Sequence, residues 1–466
     1  MTDDALTSGA RQDSAGRKPA RAPGRKPGRN AILFIFITVL INMTGFGVIV
    51  PVMPQLIMEI TGGTLAEAAA WGGYLSLSYA SVQFIFMPVL GGLSDRFGRR
   101  PVILVSLVAY TVDFLVMAVA PTMTILLVAR LLAGGFAATF STANAYIADV
   151  SPPEKRAANF GLMGAAFGVG FVIGPALGGL VGEYFGPRAP FFTVAALGAI
   201  NFVYGFFVLP ETLKPENKRA FDWRRANAFG SFLQFRKYPI VLPIAGALFL
   251  YQIAHWSFPS VWAYFSEARF GWSPAQIGWS LVVVGLTSGA VQGGVTRYAV
   301  QTFGEARAAI FGIAVATTTF IGFAYVSTGL AVYVLIAIAA FASMTEPAMN
   351  GILSRTIPPD AQGELQGAVS AVSSLAMIIG PLFMTQTFAA FSNPGVEATL
   401  FGQSIPISAD INMPGAPFFL AAVLTGLAIF PFMIGLSRAK RPEDTSGGQG
   451  GGQGGKQGEQ AAKSAA

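Results

Sequence analysis

Residues 151–161 read SPPEKRAANFG, and residues 357–367 read IPPDAQGELQG. Each stretch has a Pro-Pro-acid run near its start and closes on Gly, and the two lie 206 residues apart. The same displacement carries Gly174-Pro175 onto Gly380-Pro381 and Phe97-Gly98 onto Phe303-Gly304, without a gap. Separate motifs at one constant offset mark an internal repeat, and a repeat governs the reading of everything around it.

Between these motifs the chain is almost uniformly apolar. Of 466 residues, 53% are hydrophobic and only 11% charged, whereas a soluble chain carries roughly 25% charged residues. One aqueous core cannot hide that much apolar surface, so lipid is the expected solvent. Apolar runs of about 20 residues, the length that crosses bilayer hydrocarbon, lie near 31–57, 71–93, 102–120, 123–149, 158–182 and 191–210. A polar stretch, 211–239, separates them from six more near 240–265, 276–299, 306–326, 330–354, 366–390 and 416–437. The reading is an all-α integral membrane protein with twelve transmembrane helices in two six-helix halves, 31–210 and 240–437, joined by a cytoplasmic central loop. Residues 1–30, basic and rich in Gly and Pro, and residues 438–466, rich in Gly and Gln, read as disordered cytoplasmic tails.

Positive charge sets the orientation. With the N-terminus inside, 27 of the 30 Lys and Arg fall at or beyond inner span ends; Arg188 and Arg269 fall outside and Arg130 within span 4. That is the bias of cytoplasmic loops. The seven Lys and Arg of residues 1–30 are then placed to meet anionic head groups. Those residues hold no apolar stretch with a small-residue cleavage site, so no signal peptide is read. The net charge of +7 does not indicate nucleic acid, because no soluble module presents a basic face with stacking aromatics. With no Cys and one His, no disulfide frame, metal site, cofactor or enzyme chemistry is expected. A GxxxxGK[ST] loop is absent, so no ATP-hydrolysing P-loop is read. Two halves of like orientation place a small-molecule pocket between them near the midplane, and one copy of the chain is expected to suffice.

An ionisable group in hydrocarbon costs about 2.5–3.5 kcal/mol on insertion scales and marks an ion path or a partner pair. Asp113 lies about seven residues, ~11 Å, from the outer end of span 3; Arg130 lies as deep in span 4, beyond the turn at Pro121-Thr122. A static pair and a proton site both fit, since a carboxylate whose distance from a cation changes with motion takes up and releases a proton. Glu346, before Pro347 in span 10, shares a helical face with Asn350 and reads either as a proton or cation site or as a satisfied structural group. Asn42, Gln83, Asn144, Gln252 and Gln292 are further polar residues in spans; each alone suits helix–helix contact, and together they are candidates to line a cavity. His255, within HWSFPSVW (255–262), reads as a packed or interfacial residue.

Gly170, Gly174, Gly178 and Gly182 recur every four residues and give span 5 one smooth face for close helix approach. Pro175 removes the amide that would bond the carbonyl of Phe171, a bendable point repeated at Pro381. Such bends are expected to flex as one end closes and the other opens. The loop after span 2 reads Gly91-Gly92-Leu93-Ser94-Asp95-Arg96-Phe97-Gly98-Arg99-Arg100-Pro101; taken alone it is a solvated charge run.

That loop resembles the GxxxDRxGRR signature of the major facilitator superfamily. Gly161, Gly170, Gly174-Pro175 and Gly178-Gly179 of span 5 resemble the motif of its proton-driven exporters. Arg130-Leu-Leu-Ala-Gly134 is similar to its span 4 arginine motif, with Ala133 where glutamine is usual. SDRFGRRPVILVSLVAYTVDFLVMA (94–118), APFF (189–192) and FSEARFGWS (265–273) resemble the tetracycline/proton antiporter group, and the similarity runs along most of 31–437. That group has an acid in span 1, a histidine in span 8 and an acid in span 9; here these positions are Asn42, Ser288 and Ala316, while Asp113 and Gln292 are kept. The resemblance therefore does not carry a metal-chelated drug over to this chain.

What the resemblance implies is the major facilitator fold in a bacterial inner membrane, and efflux of a small amphiphilic drug-like compound in exchange for protons. Tetracycline is the first candidate. The implied coupling residues are the retained Asp113 and the span 4 Arg130; Glu346, where that group has no acid, is this sequence's own candidate to compensate for the missing acids. The implied gate is the loop of Gly91, Asp95, Arg96, Gly98, Arg99 and Arg100, with Asp95 facing the N-terminus of span 11 near Leu365 and Asp149 pairing with Arg99 or Arg100. Its second-half copy, with Gln301 and Glu305, is read as having lost that charge pattern, so a one-sided latch is expected. The alternative within the superfamily is a proton-independent facilitator or importer of a small metabolite.

Overall fold

A computed structural model describes residues 29–137, 139–221, 241–358, 361–392, 398–400, 403–405 and 412–439. Among them, twelve helices are long and apolar enough to cross a membrane. They run Asn30–Thr61, Leu65–Phe97, Arg99–Val119, Met123–Val150, Pro153–Phe185, Ala189–Val208, Val241–Phe270, Pro274–Phe303, Glu305–Tyr325, Gly329–Thr356, Gln362–Phe391 and Ala416–Arg438, here spans 1 to 12. Every expected span is present, and several are longer than the apolar run that revealed them. Span 5, with 33 residues, measures about 50 Å against a ~30 Å hydrocarbon core, so its polar first turns, Glu154 to Arg156, are helix and not loop. Arg29 and Asn30 likewise begin the first helix, and Arg438 and Ala439 extend the last. The rest of both expected tails, and the central loop from 222 to 240, lie outside the described residues.

Local chemistry explains the ends and the interruptions. Thr64 with Glu67, and Ser273 with Gln276, form reciprocal capping boxes that start spans 2 and 8. Gly98 and Gly304, 206 residues apart, take positive φ of 117° and 82° in the turns after those spans, a conformation that L side chains resist. Span 7 breaks between His255 and Ser257, where Pro259 has no amide for the carbonyl of His255. Pro347 does the same to Ser343 in span 10; the helix tightens to a 3₁₀ segment over Ala340–Met344, and the Tyr251 hydroxyl donates to the Ala342 carbonyl at 2.6 Å. Span 8 holds a π turn, Val291–Val295, around Gly293-Gly294, with Thr296 Oγ1 donating to Val291 at 3.0 Å.

Packing repeats with the sequence. Span 1 lies along span 5 as span 7 lies along span 11, and span 3 lies along span 6 as span 9 lies along span 12. The two sets of six meet through span 2 on span 11 and span 5 on span 8. These contacts concentrate at the end opposite the termini. A Cβ on Gly73 would strike Thr385 Oγ1, one on Gly179 the carbonyl of Pro274, and one on Gly278 the carbonyl of Pro175. Below Val172 and Gly285, spans 5 and 8 diverge: a Cβ on Gly168, Gly164, Gly289 or Gly293 meets nothing within 4 Å. The bundle is sealed at the end of the short turns and parted at the end that carries the termini.

Candidate functional site

A cavity of about 460 Å³ lies between the two sets of helices, below the seal. Its first wall comes from spans 1 to 5 and carries Asn42, Ser76, Tyr79, Gln83, Tyr110, Asp113 and Arg130; its second comes from spans 7 and 11 and carries Trp256, Pro259, Ala263, Tyr264, Met377 and Pro381. The charged side chains all lie on the first wall, set among the apolar Met43, Phe46, Ile49, Val50, Met53, Phe114 and Phe167, while the second wall is largely aromatic and apolar, with Ser260 among its residues. The break in span 7 matters here: His255 turns into the second half, stacked on Tyr251 with ring centroids 4.1 Å apart and 5.4 Å from Phe320, while Trp256 lines the cavity. Gly380 admits Trp256, whose Cβ would stand 2.8 Å from a Cβ at that position.

Asp113 and Arg130 meet as their equal depth requires. Arg130 Nε donates to Asp113 Oδ1 at 3.2 Å and Nη2 donates to Oδ2, a two-point pair with the residues 5% and 8% exposed. The guanidinium also lies 5.1 Å from the centroid of the Tyr79 ring. Tyr110, beside them, donates its hydroxyl to the Ile41 carbonyl at 2.8 Å. Span 4 comes close enough because Gly134 sits on the span 2 backbone, where a Cβ would strike the Tyr79 carbonyl.

Of the other polar candidates, Asn42 and Gln83 line the cavity, while Asn144, Gln252, Gln292, Asn350 and Glu346 are absent from its lining. Gln252 instead joins spans 7, 10 and 11, with Nε2 3.0 Å from Ser373 Oγ and 3.4 Å from Glu346 Oε1. Glu346 therefore has a neutral partner, unlike Asp113. Asn350 keeps a buried Oδ1 with no partner among the described residues.

At the parted end, Asp95 pairs with Arg99 at 2.5 Å, and Arg99 Nε reaches Asp149 at 3.2 Å. Arg100 turns elsewhere, donating to the Phe206 carbonyl at 2.7 Å. Sequence reasoning missed Glu211, whose carboxylate accepts the amides of Arg99 (2.9 Å), Arg100 (3.2 Å), Thr212 (2.9 Å) and Leu213 (2.9 Å) and so caps span 3. Only its place just after an apolar run hinted at this. The expected loss of the charge pattern in the second half needs correction. Glu305 pairs with Arg355 at 3.1 Å, and these positions are Arg99 and Asp149 displaced by 206 with the charges exchanged.

The span 5 glycines divide by face. A Cβ on Gly170, Gly174 or Gly178 would strike the carbonyls of Leu40, Thr44 or Val48 in span 1, whereas Gly179 meets span 8 in the other half. Gly161 meets nothing within 4 Å.

A twelve-helix repeat with a cavity between its halves, closed at one end, defines a membrane transporter. The family model described as Major Facilitator Superfamily matches residues 35–381 and again 244–463. The chain is 40% identical to the class C tetracycline resistance protein of Escherichia coli over 78% of its own length and 90% of that protein's. It is 34% identical to the class E protein of Escherichia coli, over 77% and 88% of the two lengths. Among solved structures, an inward-facing bacterial homolog of the human lysosomal transporter Spinster covers 89% of this chain and 98% of its own, with TM-score 0.68 and 18% identity, a likeness of fold. The chain belongs to the Major Facilitator Superfamily, in the branch of the tetracycline resistance proteins.

Proposed function

We propose that this transporter exports a small amphiphilic, drug-like compound across a bacterial inner membrane in exchange for protons, by alternating access, as a monomer with both termini cytoplasmic. The observation that carries the reading is the Asp113–Arg130 pair on the wall of the cavity between the halves. A carboxylate held by a guanidinium is neutral as a unit; when motion lengthens the pair or substrate competes for the cation, the carboxylate takes a proton. Glu346 provides a second carboxylate in the other half, held by the amide of Gln252. The polar side chains of the first wall then take the hydrogen-bonding edge of the compound, and Trp256 with the apolar residues of both walls takes the hydrophobic face. The names of the relatives make tetracycline the first compound to try. The loop Gly91 to Arg100, with Asp149, serves as the gate at the cytoplasmic end, and the Gly174-Pro175 region of span 5 flexes as the ends exchange.

One charge crossing about 100 mV releases about 2.3 kcal/mol, roughly a fiftyfold gradient at one proton per substrate. The test is tetracycline uptake into inside-out vesicles under an imposed proton gradient. Uptake that stops when a protonophore collapses the gradient supports antiport; uptake that continues assigns a facilitator instead.

A further inference from the structure

At the sealed end, Gln386 Nε2 of span 11 donates to the Ala70 carbonyl of span 2 at 3.3 Å. On the other seam the crossing is made by a carboxylate. Glu183, near the end of span 5, accepts the Ser273 hydroxyl at 2.6 Å and the Ala275 amide at 3.0 Å, both on Oε2. Ser273 caps span 8, and its Oγ also accepts the Gln276 amide at 3.4 Å, so its one hydrogen is free for Glu183. The Ala275 amide is among the first N–H groups of a helix, which no residue of that helix can satisfy, and negative charge is favoured there. Acceptor and donors belong to different halves. Just below, Gly179 on Pro274 and Gly278 on Pro175 bring the two backbones together, and in this shut arrangement the carboxylate reaches span 8.

We propose that Glu183 is a conformation-specific latch. It caps span 8 in the sealed arrangement, gives its bonds to water when the halves part, and so sets how often the transporter opens at that face. The latch acts whatever compound is carried and whichever carboxylate carries the proton, so it stands apart from the reading above.

The chain has no cysteine, so a single Met53→Cys on the cavity wall reports access without background. In sealed vesicles a membrane-impermeant thiol reagent is applied from each face in turn. Glu183→Ala is expected to speed labelling from the face of residues 62–64 roughly three- to tenfold and to slow it from the other face, with Glu183→Gln intermediate. A variant that merely unfolds would label faster from both faces and lose its monodisperse fraction in detergent; Glu183→Gln, nearly isosteric, then decides. Labelling from the face of residues 62–64 that is unchanged in a folded Glu183→Gln or Glu183→Ala protein would overturn the latch.

Discussion

Glu305 and Arg355 form at 3.1 Å the ion pair that Arg99 and Asp149 form at 3.2 Å 206 residues earlier, with acid and base exchanged. In each half the pair ties the start of one span to the inner end of the next. Preserved geometry with reversed charge indicates that the pairing, and not the sign at either position, is what the fold uses. Glu305→Arg alone should slow transport, and Glu305→Arg with Arg355→Glu should restore it. Arg355 is 77% exposed, so the pair contributes no more than about 1 kcal/mol. Melting temperatures should therefore stay close while transport rates separate; equal rates in the single and double variants would refute the point.

Removing Arg130 leaves Asp113 buried at the cavity wall without its counter-charge, which costs about 3–5 kcal/mol. Arg130→Ala is expected to be poorly folded, and Asp113→Asn with Arg130→Gln to regain thermal stability without regaining transport. Thermal unfolding in detergent and vesicle uptake read the two effects separately.

Gly174→Val should destabilise the first half, because the new side chain meets the Thr44 carbonyl and Gly47, with a cost of about 1–3 kcal/mol for overpacking. Gly161→Ala adds a methyl to open space in this arrangement and should leave the melting temperature within a degree or two. If Gly161→Ala nevertheless slows transport, that position is packed only when the parted end closes. Paired measurement of melting and uptake separates these outcomes.

The spans were legible because each is a run of apolar residues long enough to cross hydrocarbon, and the repeat was legible because Gly-Pro and Phe-Gly pairs survive at fixed spacing. The Asp113–Arg130 contact followed from counting residues away from a tight turn. Sequence reasoning fell short where partners lie far apart in the chain or where a helix changes character. Glu211 caps a helix that begins 112 residues before it, and Glu183 bonds a residue 90 positions on. The break at His255 and Trp256 turns neighbouring side chains to opposite duties, a distinction that composition cannot convey. Asp95 finds Arg99 here, four residues away on adjoining helix ends, and its expected meeting with the N-terminus of span 11 stays a proposal.

Trp256 supplies the aromatic face of the apolar wall. Trp256→Ala should raise KM for a planar aromatic substrate about tenfold, in line with about 0.5–1.5 kcal/mol for ring–ring contact beyond area burial, with Trp256→Phe between the two. A change confined to kcat would place Trp256 in the motion instead of the recognition.

Drug-driven proton movement addresses the central claim most directly. In inside-out vesicles loaded with a pH-sensitive dye under a standing proton gradient, tetracycline or another substrate should trigger proton efflux from the lumen in the parent chain. Asp113→Asn, folded and inserted at the same level, should show none. Proton efflux of equal size in Asp113→Asn would contradict the account, as would substrate uptake by the parent with no proton movement at all.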